Sequence, residues 1–146
     1  MIFVASATAA HSFATVRVRK AASAAEPHTL SVDLHHTATG LCDPVLLVAS
    51  GRFDRGAVPV LASAVRAALT RRPFLVVLTL SRVGRVHQPS LTAGLLTAAH
   101  TIALCDGRLR TVATPGRPAF DAIHDAGIAG RVALQPSIDT ALGRPW

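Results

Sequence analysis

Residues 74–80, F-L-V-V-L-T-L, form the feature that most limits what this chain can fold into. Successive side chains of a strand point to opposite faces, so a run that is apolar at nearly every position must be covered on both faces. Residues 45–49, V-L-L-V-A, repeat the pattern. The two runs predict central strands of a sheet that is covered by helices.

The segments around these runs alternate between helical and strand patterns. Apolar residues recur every three or four positions through residues 58–71, and Pro73 ends that predicted helix. Leu30, Val32 and Leu34 alternate with polar residues, as in a half-buried strand. Further predicted elements are a helix whose first turn begins at Pro89, a strand at 109–113, a helix at 118–125, a strand at 132–134 and a helix at 137–142. This order predicts an α/β domain with a parallel or mixed sheet.

A chain of 146 residues is long enough for one domain with one core. Glu26 and Pro27 interrupt an Ala-, Ser- and Thr-rich N-terminal segment. We therefore predict an extension at residues 1–27, either loose or pairing as an edge strand at 15–19, and a compact domain at residues 28–146.

Composition narrows the class of function. The formal net charge of +7 favours an acidic partner surface or nucleic acid, but the basic residues are scattered and aromatic residues make up only 4%, which counts against nucleic acid. No apolar run is long enough to span a membrane. Cys42 and Cys105 lack the spacing of a redox or zinc motif, which predicts a reduced, cytoplasmic location.

We expect neither catalysis nor a metal or other cofactor. The spacing of His35, His36, His100 and His124 matches no ligand motif. The chain also lacks a G-x-S-x-G elbow, a Walker loop and a G-x-G-x-x-G loop. These patterns predict a binding protein that is not an enzyme.

Four motifs in order resemble one known family. They are G-R-F-D at 51–54, L-T-L-S-R-V at 78–83, G-R-L-R-T-V-A-T-P-G-R-P at 107–118 and F-D-A-I-H-D-A-G-I at 120–128. They are similar to the G-x-L-D, L-D-L-S-x-V and later landmarks of STAS domains, the family of bacterial anti-sigma factor antagonists. The resemblance implies a STAS-like mixed sheet of four to five strands covered by about four helices. It also implies a regulator that binds an anti-sigma factor with a histidine-kinase-like ATPase fold and thereby releases a sigma factor.

The chain departs from this family at the phosphorylation site. Partner-switching members carry D-S-S-G before the second long helix, where this chain has His87, Gln88, Pro89 and Ser90. Neither residue aligned with a family serine can accept a phosphate. Ser90 lies one position beyond the aligned serines and Thr92 three beyond, so a shifted acceptor is the alternative. We favour the interpretation that Ser90 is only a first-turn residue with a solvated hydroxyl. A kinase needs its acceptor placed within about 1 Å, and a shift along the helix would misplace it.

The resemblance also predicts which residues contact the partner. Asp54 either contacts it or caps the turn into the first helix. Arg82 and Arg85 are expected to flank the loop before Pro89, where they would attract an acidic rim on the anti-sigma factor. His87 is expected to be an exposed loop histidine. The complete predicted partner-binding set is Asp54, Arg82, Arg85, His87, Gln88, Pro89, Ser90 and Thr92.

Two other functions stay open at this point. The first is a STAS-like module that senses a ligand or forms a scaffold by assembling with copies of itself, such as a homodimer. The second is a basic nucleic-acid-binding domain.

Overall fold

The computed structural model describes residues 2–4, 13–18, 30–37 and 44–142. These residues form seven strands and four helices. In chain order they are β1 (Ile2–Val4), β2 (Phe13–Val18), β3 (Ser31–Thr37), β4 (Val45–Phe53), α1 (Ala57–Leu69), β5 (Leu75–Val86), α2 (Gln88–Leu104), β6 (Arg108–Val112), α3 (Pro118–Asp125), β7 (Leu134–Gln135) and α4 (Ile138–Ala141).

The strands form one sheet in which spatial order equals chain order. Strands β1 to β4 pair antiparallel, whereas β4 to β7 pair parallel. Each parallel connection passes through a helix, as parallel neighbours require. Strands β3 to β7 and the four helices confirm the predicted α/β class, with a mixed sheet of four to five strands and about four helices.

The hydrophobic core lies mainly on one face of this sheet. Val76, Leu78 and Leu80 of β5 are fully buried in a large core together with residues of α1, α2 and α3. The alternate residues Leu75 and Val77 face the other way, into a small core with α4. The helices therefore cover the two faces of the sheet unequally, because among the described elements the second face carries only the four-residue α4.

Strands β4 and β5 continue well beyond their predicted ends, to Phe53 and Val86. Their parallel ladder goes on past two register shifts, and Gly51 lies between them with φ of 106°. Such a positive φ suits glycine at an irregularity of this kind. The segment after residue 80 is mostly exposed, but Val83 is fully buried and fixes it to the core. Arg82 and Arg85, which were expected to flank a loop before Pro89, therefore both lie on strand β5.

Strand β2 pairs with β3 and so places part of the N-terminal segment in the sheet. The domain boundary at residue 28 stays a prediction, since residues 19–29 lie outside the described part. Within the described residues, no helix has both the length and the apolarity needed to cross a membrane.

Candidate functional site

The start of α2 projects from one end of the molecule. His87 caps the helix with an extended backbone, and the Leu91 N–H donates to the His87 carbonyl over 3.0 Å. A proline in the first turn suits a helix start, because its missing N–H would have no partner there. His87, Gln88 and Pro89 are all exposed, as expected for His87, and Pro89 lies outside the core.

The end of β4 holds this helix start in place. The His87 N–H donates to the carbonyl of Phe53 over 2.7 Å. The Phe53 side chain is fully buried beneath α2 at Gly94, where a Cβ atom would lie 3.0 Å from the ring carbon Cζ. Glycine at position 94 therefore lets the helix lie against the phenylalanine ring.

Ser90 faces inward. Only 6% of the residue is exposed, and its Oγ lies 2.7 Å from Nδ1 of His87. The expectation of a solvated hydroxyl was wrong, because Ser90 lies on the side of α2 that also buries Leu91 and Gly94. The exposed His87 ring provides the hydrogen-bond partner of the Ser90 hydroxyl. Thr92, the next hydroxyl residue, is half-buried.

Asp54 forms an ion pair with Arg52, with Nε and Oδ2 3.0 Å apart. The expectation that its side chain caps the turn into α1 was wrong. The cap residue is Gly56 without a side-chain hydrogen bond, and the Asp54 backbone carbonyl accepts from the Ala57 N–H over 3.0 Å. Both charged side chains are partly solvated, so the pair contributes about 0–1 kcal/mol to stability.

Arg85 and Arg82 lie on β5 but in different surroundings. Arg85 is exposed and in register with Arg52 of β4, beside the start of α2. Arg82 is in register with Ser50 and lines the face of the sheet that α4 partly covers. Sequence reasoning grouped these two arginines, and the structure separates them.

The structure thus gathers most of the predicted site residues at the ends of β4 and β5. We call this group the docking surface. It consists of Arg52, Asp54, Arg85, His87, Gln88 and Pro89. Arg82 and Ser90 lie outside it, and Thr92 is half-buried on the next part of α2.

Only Asp54 of the motif at 51–54 was predicted as a site residue, and not Arg52 or the supporting pair of Phe53 and Gly94. Arg52 and Phe53 stand inside the G-R-F-D motif, which was the available signal. No pattern in the sequence pointed to the contact between Phe53 and Gly94, because it depends on how α2 lies over the sheet.

The docking surface is positively charged. Within the described part of the chain, the Arg85 guanidinium forms no hydrogen bond or ion pair, and the first turn of α2 holds no acidic residue. The positive end of the helix dipole therefore adds to the charge of the arginine. An acidic partner surface would complement both the Arg85 charge and the positive helix end.

The described residues contain no group of three His, Cys, Asp or Glu side chains that could hold a metal ion. Cys105 is exposed and unbridged. Cys42 lies outside the described residues.

Comparison with known proteins supports the fold. No model of a protein family matches the chain, and neither does any curated protein. Among solved structures, the chain is similar to the crystal structure of an anti-sigma factor antagonist from Mycobacterium paratuberculosis. The TM-score is 0.67 at 23% sequence identity, over 80% of this chain and 94% of the other. The chain therefore has the STAS-like fold of an anti-sigma factor antagonist, as its four motifs predict.

Proposed function

We propose that this protein is a cytoplasmic regulator that binds an anti-sigma factor through its docking surface and so releases a sigma factor. The observation that carries the proposal is the exposed start of α2, held by Phe53 at the end of β4. A helix start fixed by a buried aromatic residue is a rigid element, and rigid elements lose little entropy when they bind. The likeness to an anti-sigma factor antagonist supports the choice of partner class.

Charge supports the same assignment. Arg85 and the uncompensated helix start give this end of the molecule a positive potential. Complementary charges at an interface mainly speed association, and this effect weakens as salt screens them. The anti-sigma factor should therefore present an acidic rim to Arg85.

The binding we propose does not depend on phosphorylation at Ser90. The Ser90 hydroxyl is buried and held by His87, so a kinase would have to open the first turn of α2 to reach it. The two positions aligned with the family serines, Gln88 and Pro89, offer no hydroxyl. The protein therefore acts as a constitutive binder, or one that is regulated by other means.

The first experiment measures binding to purified partners. Each histidine-kinase-like anti-sigma factor encoded by the same genome is titrated with the full chain by calorimetry, without ATP. We expect a saturable complex with one of them, and release of its sigma factor in gel filtration. If none of these anti-sigma factors binds, the proposed function is wrong.

Charge reversal tests the docking surface. Arg85→Glu should slow association with the anti-sigma factor about tenfold at low salt and reduce its salt dependence. Arg108→Glu is the matched control, because Arg108 is also exposed but begins β6 at the opposite end of the parallel strands. Equal association rates for the two variants would rule out the assigned surface.

A phosphorylation assay tests the absence of the usual switch. The chain is incubated with the anti-sigma factor that binds it and with radiolabelled ATP. We expect no incorporation of phosphate into the chain. Incorporation that disappears in Ser90→Ala would overturn this part of the proposal.

A further inference from the structure

The face of the sheet opposite α1, α2 and α3 contains a cleft of about 550 Å³ between the strands and α4. Its floor is formed by Val48, Thr79 and Val112, which are register partners on the three adjacent parallel strands β4, β5 and β6. This volume falls within the range of small-molecule sites. The lining also includes residues just past the carboxyl ends of β6 and β7, and open α/β sheets commonly bind ligands at the carboxyl ends of their strands.

One rim of the cleft carries hydroxyl groups and a positive charge. The Thr114 hydroxyl donates to Oγ of Ser81 over 3.1 Å, and both residues line the cleft. The Arg82 guanidinium lies at the same rim and, among the described residues, forms no hydrogen bond or ion pair. A free guanidinium beside hydroxyl donors suits the oxygen atoms of a carboxylate or phosphate group.

Arg82 also acts on the neighbouring part of this face. Burial lowers the pKa of His35 on β3, and Asp33 opposes that shift. The positive charges of Arg82 and His36 add to the lowering. The Arg82 guanidinium therefore lies near enough to His35 to contribute to this lowering of its pKa.

The opposite wall has a different chemistry. Ile138 offers an apolar surface, whereas Asp139 is exposed and forms no hydrogen bond or ion pair within the described part of the chain. A negative charge at this wall repels a second anionic group. Together with Val48 and Val112, Ile138 provides a surface for an apolar body.

We propose that this cleft binds a small organic anion, with a single carboxylate or phosphate group at Arg82 and an apolar body on Val48 and Val112. The cleft shares no lining residue with the docking surface. This binding site therefore stands or fails independently of the proposed anti-sigma factor binding.

The test is an NMR titration of the full ¹⁵N-labelled chain. The probes are 2-naphthoate and 1-naphthyl phosphate, with the neutral 2-naphthamide and inorganic phosphate as partial analogues. We expect saturable shifts of the amides of residues 79–82, 114 and 137–139 with one or both aromatic anions, and the stronger binder identifies the preferred anionic group. The two analogues should bind at least about tenfold more weakly, because each lacks one half of the recognised chemistry.

Three variants of exposed residues make the test specific. Arg82→Gln should weaken binding of the aromatic anions about tenfold or more, whereas Arg85→Gln, three residues further along β5, should not. Asp139→Asn should improve binding of 2,6-naphthalenedicarboxylate more than binding of 2-naphthoate. The proposal is overturned by the absence of saturation at these amides up to millimolar probe, or by equal binding to the wild-type chain and Arg82→Gln.

Discussion

The contact between Gly94 and Phe53 gives the sharpest test of how α2 is held. An alanine in the interior of a helix is favoured over glycine by about 1 kcal/mol. At position 94, however, the added Cβ would lie 3.0 Å from Cζ of the fully buried Phe53 ring. Overpacking of this kind costs about 1–3 kcal/mol, so Gly94→Ala should lower the free energy of unfolding by about 0–2 kcal/mol.

The effect of Gly94→Ala on the free energy of unfolding should change sign once the Phe53 ring is removed. Phe53→Leu costs roughly 1–2 kcal/mol by itself, but it deletes the ring atoms that oppose a Cβ at position 94. In that background Gly94→Ala should raise the free energy of unfolding by about 1 kcal/mol. The two substitutions should therefore be coupled by about 1–3 kcal/mol.

The assay is urea unfolding of the four proteins of this cycle, followed by far-ultraviolet circular dichroism, with unchanged m-values as a condition. Ala93→Gly is the matched control, since Ala93 is exposed on the same helix and should lose about 1 kcal/mol in both backgrounds. An equal effect of Gly94→Ala in both backgrounds would refute the close packing of α2 on Phe53.

Three further substitutions test single groups by the same unfolding assay. Ser90→Ala should cost about 0.5–1.5 kcal/mol, because it removes the hydrogen bond to His87, and a gain in stability would contradict that bond. Burial lowers the pKa of His35 below its ordinary value of 6.5, so the unfolded chain binds the proton first and stability should fall as the pH drops below that value. The stability of His35→Gln should decrease less over this pH range. Parallel pH profiles of stability for wild type and variant would disprove the lowered pKa of His35. Thr111→Val should add about 1–2 kcal/mol, because the Thr111 hydroxyl is buried without a hydrogen-bond partner in the described part of the chain, and a loss of stability would reveal a partner.

Side-chain patterns predicted the helices and strands in which buried and exposed residues follow the period of the element. The start of α2 lies within one residue of its predicted position, because Pro89 marks a first turn whatever the rest of the fold does. The central strands followed from their double-sided apolar runs in the same way. The fold class and the order of elements needed no tertiary information.

The features that escaped prediction depend on backbone pairing or on contacts between elements. The polar end of β5 resembled a loop because its ladder to β4 uses main-chain groups that leave no trace in the side-chain pattern. The burial of Ser90 depends on how α2 rotates over Phe53, which no local pattern encodes. The site was therefore predictable as a helix start and unpredictable as an arrangement of side chains.

The two outermost strands of the described sheet bear on how a partner could bind this protein. In the described structure the sheet ends in β1, with three residues, and β7, with two. Partners that extend a sheet by adding a strand need a row of free main-chain donors and acceptors, and strands this short supply very few. The N-terminal segment occupies the longer edge that β3 would otherwise offer. Side chains would then have to carry the anti-sigma factor binding proposed above, so single substitutions should be able to abolish it.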